Sequence, residues 1–378
     1  MERYLLLTRD LPGITANSVL RPSKDSSGAS ELVLVIDHSL LEGSASLDNR
    51  GTKFVGPNQF SVSMAANSIL GLDEQTSLLF VNSIPGESDE LKYFQAKHKE
   101  FIGEEGTTME LAASLVRSTP GFTLKSLNVK SQSNKYTLAV SHPFVRSRAL
   151  NFSLQGKLEA LNAQVFLEGE QLSKDYIRTF QFGASANYID ALKGISFFNA
   201  NIRQGLEFLG ASGNDSPDLS RTGGRTDYTL IEGTYTRLQN VYGNLNLLLS
   251  VNGQYAFDEL LSSEEYGVGG SVYGRGYNPS ELTGDHGIAA KAEFQYGGST
   301  DFFFLDGYQL YGFYDFGAVY EKGTGDHDSL ASVGAGSRFN FSDWLSGYAE
   351  VAKPLTRGVA DDDDKKTPRF FFAISARL

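Results

Sequence analysis

The chain has 378 residues, 40 of them glycine and none cysteine, with 33 basic against 45 acidic side chains and a formal net charge of −12. The lack of cysteine excludes thiol nucleophiles, thiolate zinc sites and disulfides, and the acidic balance argues against nucleic acid as a partner, because phosphate contacts need clustered Lys and Arg. With 26 Phe and 18 Tyr against 10 Pro, the composition suits many strands. No apolar run reaches the ~20 residues of a membrane helix, a test that barrel strands escape by hiding their lipid face in alternation.

Residues 2–11 read as a short amphipathic helix stopped by Pro12 and Gly13. Strands at 14–22 and 31–37 follow, joined by a Ser/Gly-rich turn at 24–30. A helix and two strands in ~40 residues are too little to bury a core, so residues 1–41 are set apart from residues 42–378. Met1 to Tyr4 has neither the basic nor the apolar region of a signal peptide, and an export leader is expected upstream of this sequence.

From residue 42 the pattern becomes one of repeated strands of ~10 residues, the length of a tilted membrane strand. Sixteen segments are expected, near 42–48, 58–70, 75–84, 89–102, 107–117, 134–141, 148–159, 175–190, 193–208, 225–238, 241–256, 286–297, 307–320, 328–341, 344–353 and 368–378. Alternation is plain in several. Phe60, Val62, Met64 and Ala66 oppose Gln59, Ser61, Ser63 and Asn67, and Leu245, Leu247, Leu249 and Val251 oppose Asn244, Asn246, Ser250 and Asn252. Short connections (71–74, 103–106, 142–147, 191–193, 239–242, 342–343) alternate with long ones (118–133, 161–174, 209–224, 257–285, 353–369). Short turns at one end and long loops at the other suit an outer-membrane barrel better than a soluble sandwich, and put the N-terminus and the short turns in the periplasm.

The glycine-rich stretch 269–285 and the two strands after it hold the candidate site. In 287–295, Ile288, Ala290, Ala292 and Phe294 face one way and Lys291, Glu293 and Gln295 the other. In 308–320, Tyr308, Leu310, Tyr314, Phe316 and Tyr320 oppose Gln309, Tyr311, Phe313, Asp315 and Gly317. Asp315 is the single carboxylate on that polar face and Arg275 the only cation of the loop, so the two are paired here as the centre of the protein. Gly274-Arg275-Gly276-Tyr277 resembles the Val-Arg-Gly-Tyr motif of the two-partner-secretion outer-membrane transporters, the hemolysin/hemagglutinin secretion-activation type, with Gly274 in place of Val. Phe313-Tyr314-Asp315-Phe316-Gly317 is similar to that family's Phe-x-Asp-x-Gly motif.

Further similar segments lie at 142–148, 204–206, 220–225 and 280–285. The last strand, with Phe370, Phe372, Ile374, Ala376 and Leu378 alternating, resembles the C-terminal signal read by the barrel-assembly machinery, with Leu378 where Phe is usual. The resemblance implies an all-β fold: a 16-stranded antiparallel transmembrane β-barrel with an inward-folded loop, preceded by a small α+β remnant, residues 1–41, of a polypeptide-transport-associated (POTRA) domain. It implies a Gram-negative outer-membrane location, a secreted, unfolded, β-rich exoprotein as partner, the outer-membrane lipid and lipopolysaccharide as surroundings, and export without nucleotide hydrolysis. It also implies that Arg275 pairs with Asp315 on the inner wall. Only the last part of a docking module is expected in residues 1–41, so this stretch of chain alone is expected to form a barrel but to secrete poorly.

A passive porin or surface receptor would share the strand pattern without needing the pair. In a watery lumen the ion pair is expected to fix the loop's position rather than to add stability. Lys291, Glu293 and Arg338 read as charges lining a pore. No catalytic group, metal site or cofactor is expected: His38, His98, His142, His286 and His327 are scattered without ligand spacing, and neither a Walker loop nor a nucleophile elbow is present. The run Asp361 to Asp364 before Lys365 and Lys366 reads as a solvated loop tip, and Trp344 as an interfacial residue.

Overall fold

The computed structural model describes residues 1–23, 29–84, 90–302 and 304–378. Most of the turn expected at 24–30 and the first residue of the segment expected at 89–102 lie outside the described residues. A helix, α1 (Glu2–Arg9), leads into a hairpin of β1 (Ile14–Pro22) and β2 (Ser30–His38). The barrel strands begin with β3 (Leu41–Asp48), β4 (Gln59–Asn67), β5 (Gln75–Ser83), β6 (Lys92–Ile102) and β7 (Thr107–Ser118). They continue with β8 (Lys130–Arg146), β9 (Leu150–Leu167), β10 (Glu170–Ile189), β11 (Gly194–Gly205), β12 (Thr229–Tyr242) and β13 (Leu245–Ala256). A small hairpin, β14 (Tyr266–Val268) with β15 (Leu282–Gly284), lies in the connection to β16 (His286–Phe302). The set ends with β17 (Leu305–Tyr320), β18 (His327–Ser342), β19 (Leu345–Pro354) and β20 (Arg369–Arg377).

β3–β13 and β16–β20 form one closed antiparallel barrel of 16 strands in which each pairs with its sequence neighbours and β20 pairs with β3. Closure leaves no free sheet edge, which is what allows strands to cross lipid at all. The alternation read from sequence sorts the two faces. Val62, Met64, Leu111, Phe180, Val251, Phe294, Tyr314 and Phe370 are exposed on the outside, where water would penalise them and hydrocarbon does not. The closing seam is short, running from Ala373 against Asp48 to Arg377 against Ser44. Asn49 extends it by imitating a backbone unit, its Nδ2 donating to the Phe370 carbonyl at 2.9 Å and its Oδ1 accepting from the Phe372 amide at 2.8 Å.

Three expectations change. β8, β9 and β10 run well beyond the segments expected at 134–141, 148–159 and 175–190, and the long loop expected at 161–174 is instead a turn at Glu168 (φ 52°) and Gly169 (φ 92°), the left-handed pair that a two-residue hairpin requires. The cause is chemical: the outward positions Asn162, Gln164, Lys174 and Tyr176 are polar, so the contrast between faces fades while pairing continues through Asn162↔Tyr176 and Gln164↔Lys174. His142 to Arg146, expected in a turn, belong to β8, and the connection to β9 is 147–149; Pro143 is admitted beside a register shift between Pro143 and Val145. Residues 239–242 likewise belong to β12, which ends at Tyr242.

Residues 1–41 sit on the end of the barrel that carries the short turns. Arg3 donates to the Pro143 carbonyl at 2.9 Å and pairs with Glu105 at 3.2 Å, and Arg146 holds Asp10 through both carboxylate oxygens. The β1–β2 hairpin leaves Val19, Leu20, Val35 and Ile36 exposed, so it builds no core of its own.

The two barrel faces predict opposite tolerance to charge. Val251→Lys, mid-strand on the lipid face, is expected to destabilise the barrel by about 2–4 kcal/mol, and Asn199→Lys, facing the lumen, by much less. Urea unfolding in lipid vesicles measures both; equal effects would contradict the assignment of the faces.

Candidate functional site: the loop inside the barrel

The connection 257–285 is long enough to leave the rim, and it turns inward. Its hairpin is pinned to the inner wall by an apolar cluster in which Tyr266, Val268, Tyr277 and Leu282 meet Ala289, Val319, Leu330 and Val359. Two glycines permit the fit. Gly274 sits at φ +81° with Leu330 Cδ1 2.7 Å from where a Cβ would be, a conformation that a β-branched residue strongly disfavours; the replacement of Val by Gly in the motif therefore matches the local backbone. At Gly317 a Cβ would lie 2.2 Å from Val268 Cγ1, so a larger residue would push the hairpin off the wall.

At the loop's tip Arg275 reaches the floor of β17. Its Nε and Nη2 engage Asp315 Oδ2 and Oδ1 at 3.0 and 2.9 Å, and its own amide donates to Oδ2 at 3.0 Å. The guanidinium lies 3.4 Å over the Phe313 ring and its Nη1 bonds Glu293 at 2.5 Å, with Glu350 at 3.6 Å. Arg275 is 4% exposed and Asp315 0%. The pair is therefore not a wet lumen contact, as the sequence suggested. Its charges are desolvated, held by a two-pronged fork and stacked on an aromatic face, conditions under which losing one partner is costly.

The pair is also larger than a pair. Arg338 bonds Glu293 at 2.9 Å and lies 3.8 Å over Tyr311, whose hydroxyl donates to Glu350 at 2.9 Å. Arg50, from the first barrel connection, bonds Glu350 at 2.5 Å and the Tyr348 hydroxyl at 2.9 Å, stacks 3.9 Å over Phe371 and donates to the Arg275 carbonyl at 3.5 Å. Three guanidinium groups thus face three carboxylates, and the charge cancels. Arg369 steadies the same loop through the Gly276 carbonyl and Asn278, while the Tyr277 hydroxyl donates to the Ala331 carbonyl at 3.1 Å.

Of the residues expected to line a pore, Glu293 is buried at 1% exposure inside this network. Lys291 stands 5.4 Å from the Tyr273 ring. Arg338 alone of the three keeps a substantially exposed side chain. Sequence reasoning missed Arg50 and Glu350. Glu350 carried a signal, as the one carboxylate among Tyr348, Glu350 and Ala352 on the inward face of β19; Arg50 lies in a loop, where no periodicity marks it.

A second clasp holds the connections at the far rim. Arg221 pairs with both oxygens of Asp285 at 2.6 and 3.0 Å, with Glu265 at 3.4 Å and with Glu321. Burial works to raise the Asp285 pKa, but Arg221 and the Lys322 and Leu260 amides outweigh it and hold the carboxyl below its ordinary range. A third group joins Arg203 to Glu264 at 2.7 Å, with Glu264 accepting from the buried Tyr228 hydroxyl at 2.8 Å. The acidic run is only partly a solvated tip: Asp361 is 3% exposed and accepts from the Lys53 amide at 3.0 Å.

Comparison with known proteins places the chain among outer-membrane transporters of the same fold. The chain is 23% identical over 377 residues to the heme/hemopexin transporter protein HuxB of Haemophilus influenzae (strain 86-028NP), covering 97% of this chain and 65% of that protein. It is 24% identical over 336 residues to the outer membrane transporter CdiB of Dickeya dadantii (strain 3937), covering 84% of this chain and 57% of that one. Among solved structures, CdiB from Escherichia coli superposes with a TM-score of 0.85 at 17% identity, over 99% of this chain and 69% of that one. BamA from Haemophilus ducreyi, lacking its first three POTRA domains, gives 0.64 at 11% identity, over 96% and 75%. The chain thus spans less than two thirds of the length of the HuxB and CdiB sequences it matches. The family model of the haemolysin secretion/activation protein ShlB/FhaC/HecB matches residues 28–339, and the chain belongs to that family.

Proposed function

We propose that this chain is the barrel of a two-partner secretion transporter in the outer membrane of a Gram-negative bacterium, which passes an unfolded, β-rich exoprotein to the cell surface without nucleotide hydrolysis. The observation that carries the reading is the Arg275 loop, held inside the barrel by Asp315, Glu293 and Glu350. A passive porin needs no such buried anchor. The work assigned to the protein is conduction rather than catalysis: outward folding of the emerging strands supplies direction, and the barrel supplies a wall and a correctly placed loop. Within this reading Gly274, Arg275, Gly276 and Tyr277 form the anchor of the loop, and Phe313, Asp315 and Gly317 its seat. Lys291 and Arg338 border the path, while Glu293 belongs to the anchor.

Residues 1–41 are taken as the end of a POTRA domain and 42–378 as the barrel, with the N-terminus and the short turns periplasmic. Contact of α1 with the 103–106 and 147–149 turns supports that orientation, as does the greater length of the connections at the other end. The barrel-assembly machinery is the expected partner during insertion, through the alternating strand that ends at Leu378.

Two outcomes test this. Arg275→Ala leaves buried carboxylates uncompensated, a cost of about 3–5 kcal/mol, so the loop is expected to leave the wall. In the full-length transporter, secretion of the exoprotein per assembled barrel is then expected to fall and channel conductance in planar bilayers to become noisier. Exchanging the charges, Arg275→Asp with Asp315→Arg, is not expected to rescue, because Asp at position 275 would face Glu293 and Glu350. Normal secretion by Arg275→Asp would refute the proposed role. Orientation is tested by thiol labelling, which the lack of native cysteine makes clean: Glu168→Cys is expected to react with an impermeant maleimide on intact cells and Glu104→Cys only after lysis. The reverse pattern would invert the topology.

A further inference from the structure

The outer face of β8–β10 changes character along its length. Leu138 pairs with Leu158 and Leu158 with Phe180, all outward and apolar; farther along, Asn134 pairs with Asn162 and Asn162 with Tyr176. Between them lies the row Tyr136, Ala160 and Arg178. Arg178 therefore stands at the boundary where the apolar band ends, the level of lipid headgroups. This boundary lies toward the end of the barrel with the long connections, which under the orientation proposed above faces the outer leaflet.

Two observations meet at this boundary. The first is a groove of ≈ 540 Å³ on the lipid side. It is lined by the small side chains Ala96, Ala113 and Ala160, by Leu138 and Leu158, and by Phe208 and Leu209 just after β11. The second is uncompensated charge. Arg178 spends Nη1 on the Leu161 and Ile177 carbonyls and Asn162 Oδ1, and Nε on the Leu209 carbonyl. Nη2 has no hydrogen-bond partner among the described residues. Lys174, two pleat repeats away on the same face, lies 4.7 Å over the intervening Tyr176, and neither cation forms an ion pair among the described residues. Carbonyl dipoles orient a guanidinium but do not cancel its charge, and at the edge of hydrocarbon that charge calls for an anion.

We infer that this groove is a binding site for one phosphorylated, acylated lipid of the outer leaflet, with Arg178 and Lys174 taking its phosphate and the alanine-lined groove one of its acyl chains. The size fits a single chain, and the polar row of Asn134, Asn162 and Tyr176 above it suits sugar hydroxyls. A protein with a net charge of −12 has little general attraction for anionic lipid, so a locally cationic rim over an apolar groove is a directed feature.

The test uses the full chain in uncharged detergent micelles, with diphosphoryl lipid A as the probe and native mass spectrometry to count retained lipid. One lipid A per barrel is expected. Arg178→Gln with Lys174→Gln is expected to weaken retention about tenfold, the scale of one lost charge-assisted contact set, and Ala160→Phe, which fills the groove without touching charge, to weaken it as well. Heat-modifiable gel migration checks that each variant is folded. Unchanged retention in the charge variant overturns the proposal, as does full retention by Ala160→Phe. Equal competition by inorganic phosphate would reduce the site to a free-anion site and would also overturn it. None of these readouts depends on secretion, so failure here leaves the transporter reading untouched.

Discussion

Asp315, Glu293 and Glu350 are carboxylates on an inner wall whose own cations, Lys291 and Arg338, are too few to neutralise all three. Taken out of water, each would cost several kcal/mol, and the cation that reaches Asp315 and Glu293 together is carried by the connection that leads into β16. The wall therefore determines where the loop lies, as the loop determines that the wall can be dry. Aromatic faces complete the arrangement: Phe313 under Arg275 and Tyr311 under Arg338 exclude water while their ring electrons favour the cations above them. Apolar packing by Tyr266, Val268 and Leu282 then secures the stem of the same loop.

Besides its anchor on the later strands, the loop packs Leu260 and Leu261 against Leu161 and Ile177 of the earlier ones, whose inner face also carries many hydroxyl groups. Ser61, Ser63, Ser133, Thr137, Ser153 and Ser185 line β4 and β8–β10 with hydroxyl groups, several of them paired across strands, as in Ser44 with Ser63 and Ser153 with Ser185 at 2.7 Å. Longer charged groups stand among them, Lys97 with Glu110 and Lys135 with Glu159.

Much of this was legible in the sequence because barrel physics is written at period two. Where one face meets lipid and the other water, as in β4, β13, β16 and β17, the alternation locates the strand and its orientation together. The signal fails where both faces meet water. β8, β9 and β10 continue past the apolar band with polar residues on either side, so the backbone pairing that extends them leaves no mark in hydropathy. Arg275 was legible as the lone cation of its loop and Asp315 as the lone carboxylate on its strand's polar face, their pairing was implied chiefly by the resemblance of the two motifs to the family's, and they are in contact. Their burial was not legible, because it depends on Arg50, Arg338, Glu293 and Glu350 arriving from four other stretches of chain, and no local pattern reports how many charges will share a site.

The seam between the first and last barrel strands gives this arrangement an order in time. Asn49 and Phe370 are 321 positions apart, and Arg50, just beside the seam, reaches Glu350 on the penultimate strand. Neither end of the cylinder can be zipped, nor the electrostatic lock at its heart be completed, until the chain's final residues have been delivered. A nascent polypeptide released early would keep an open strand edge and an unmatched set of acidic groups at once, two visible defects by which an unfinished cylinder differs from a finished one.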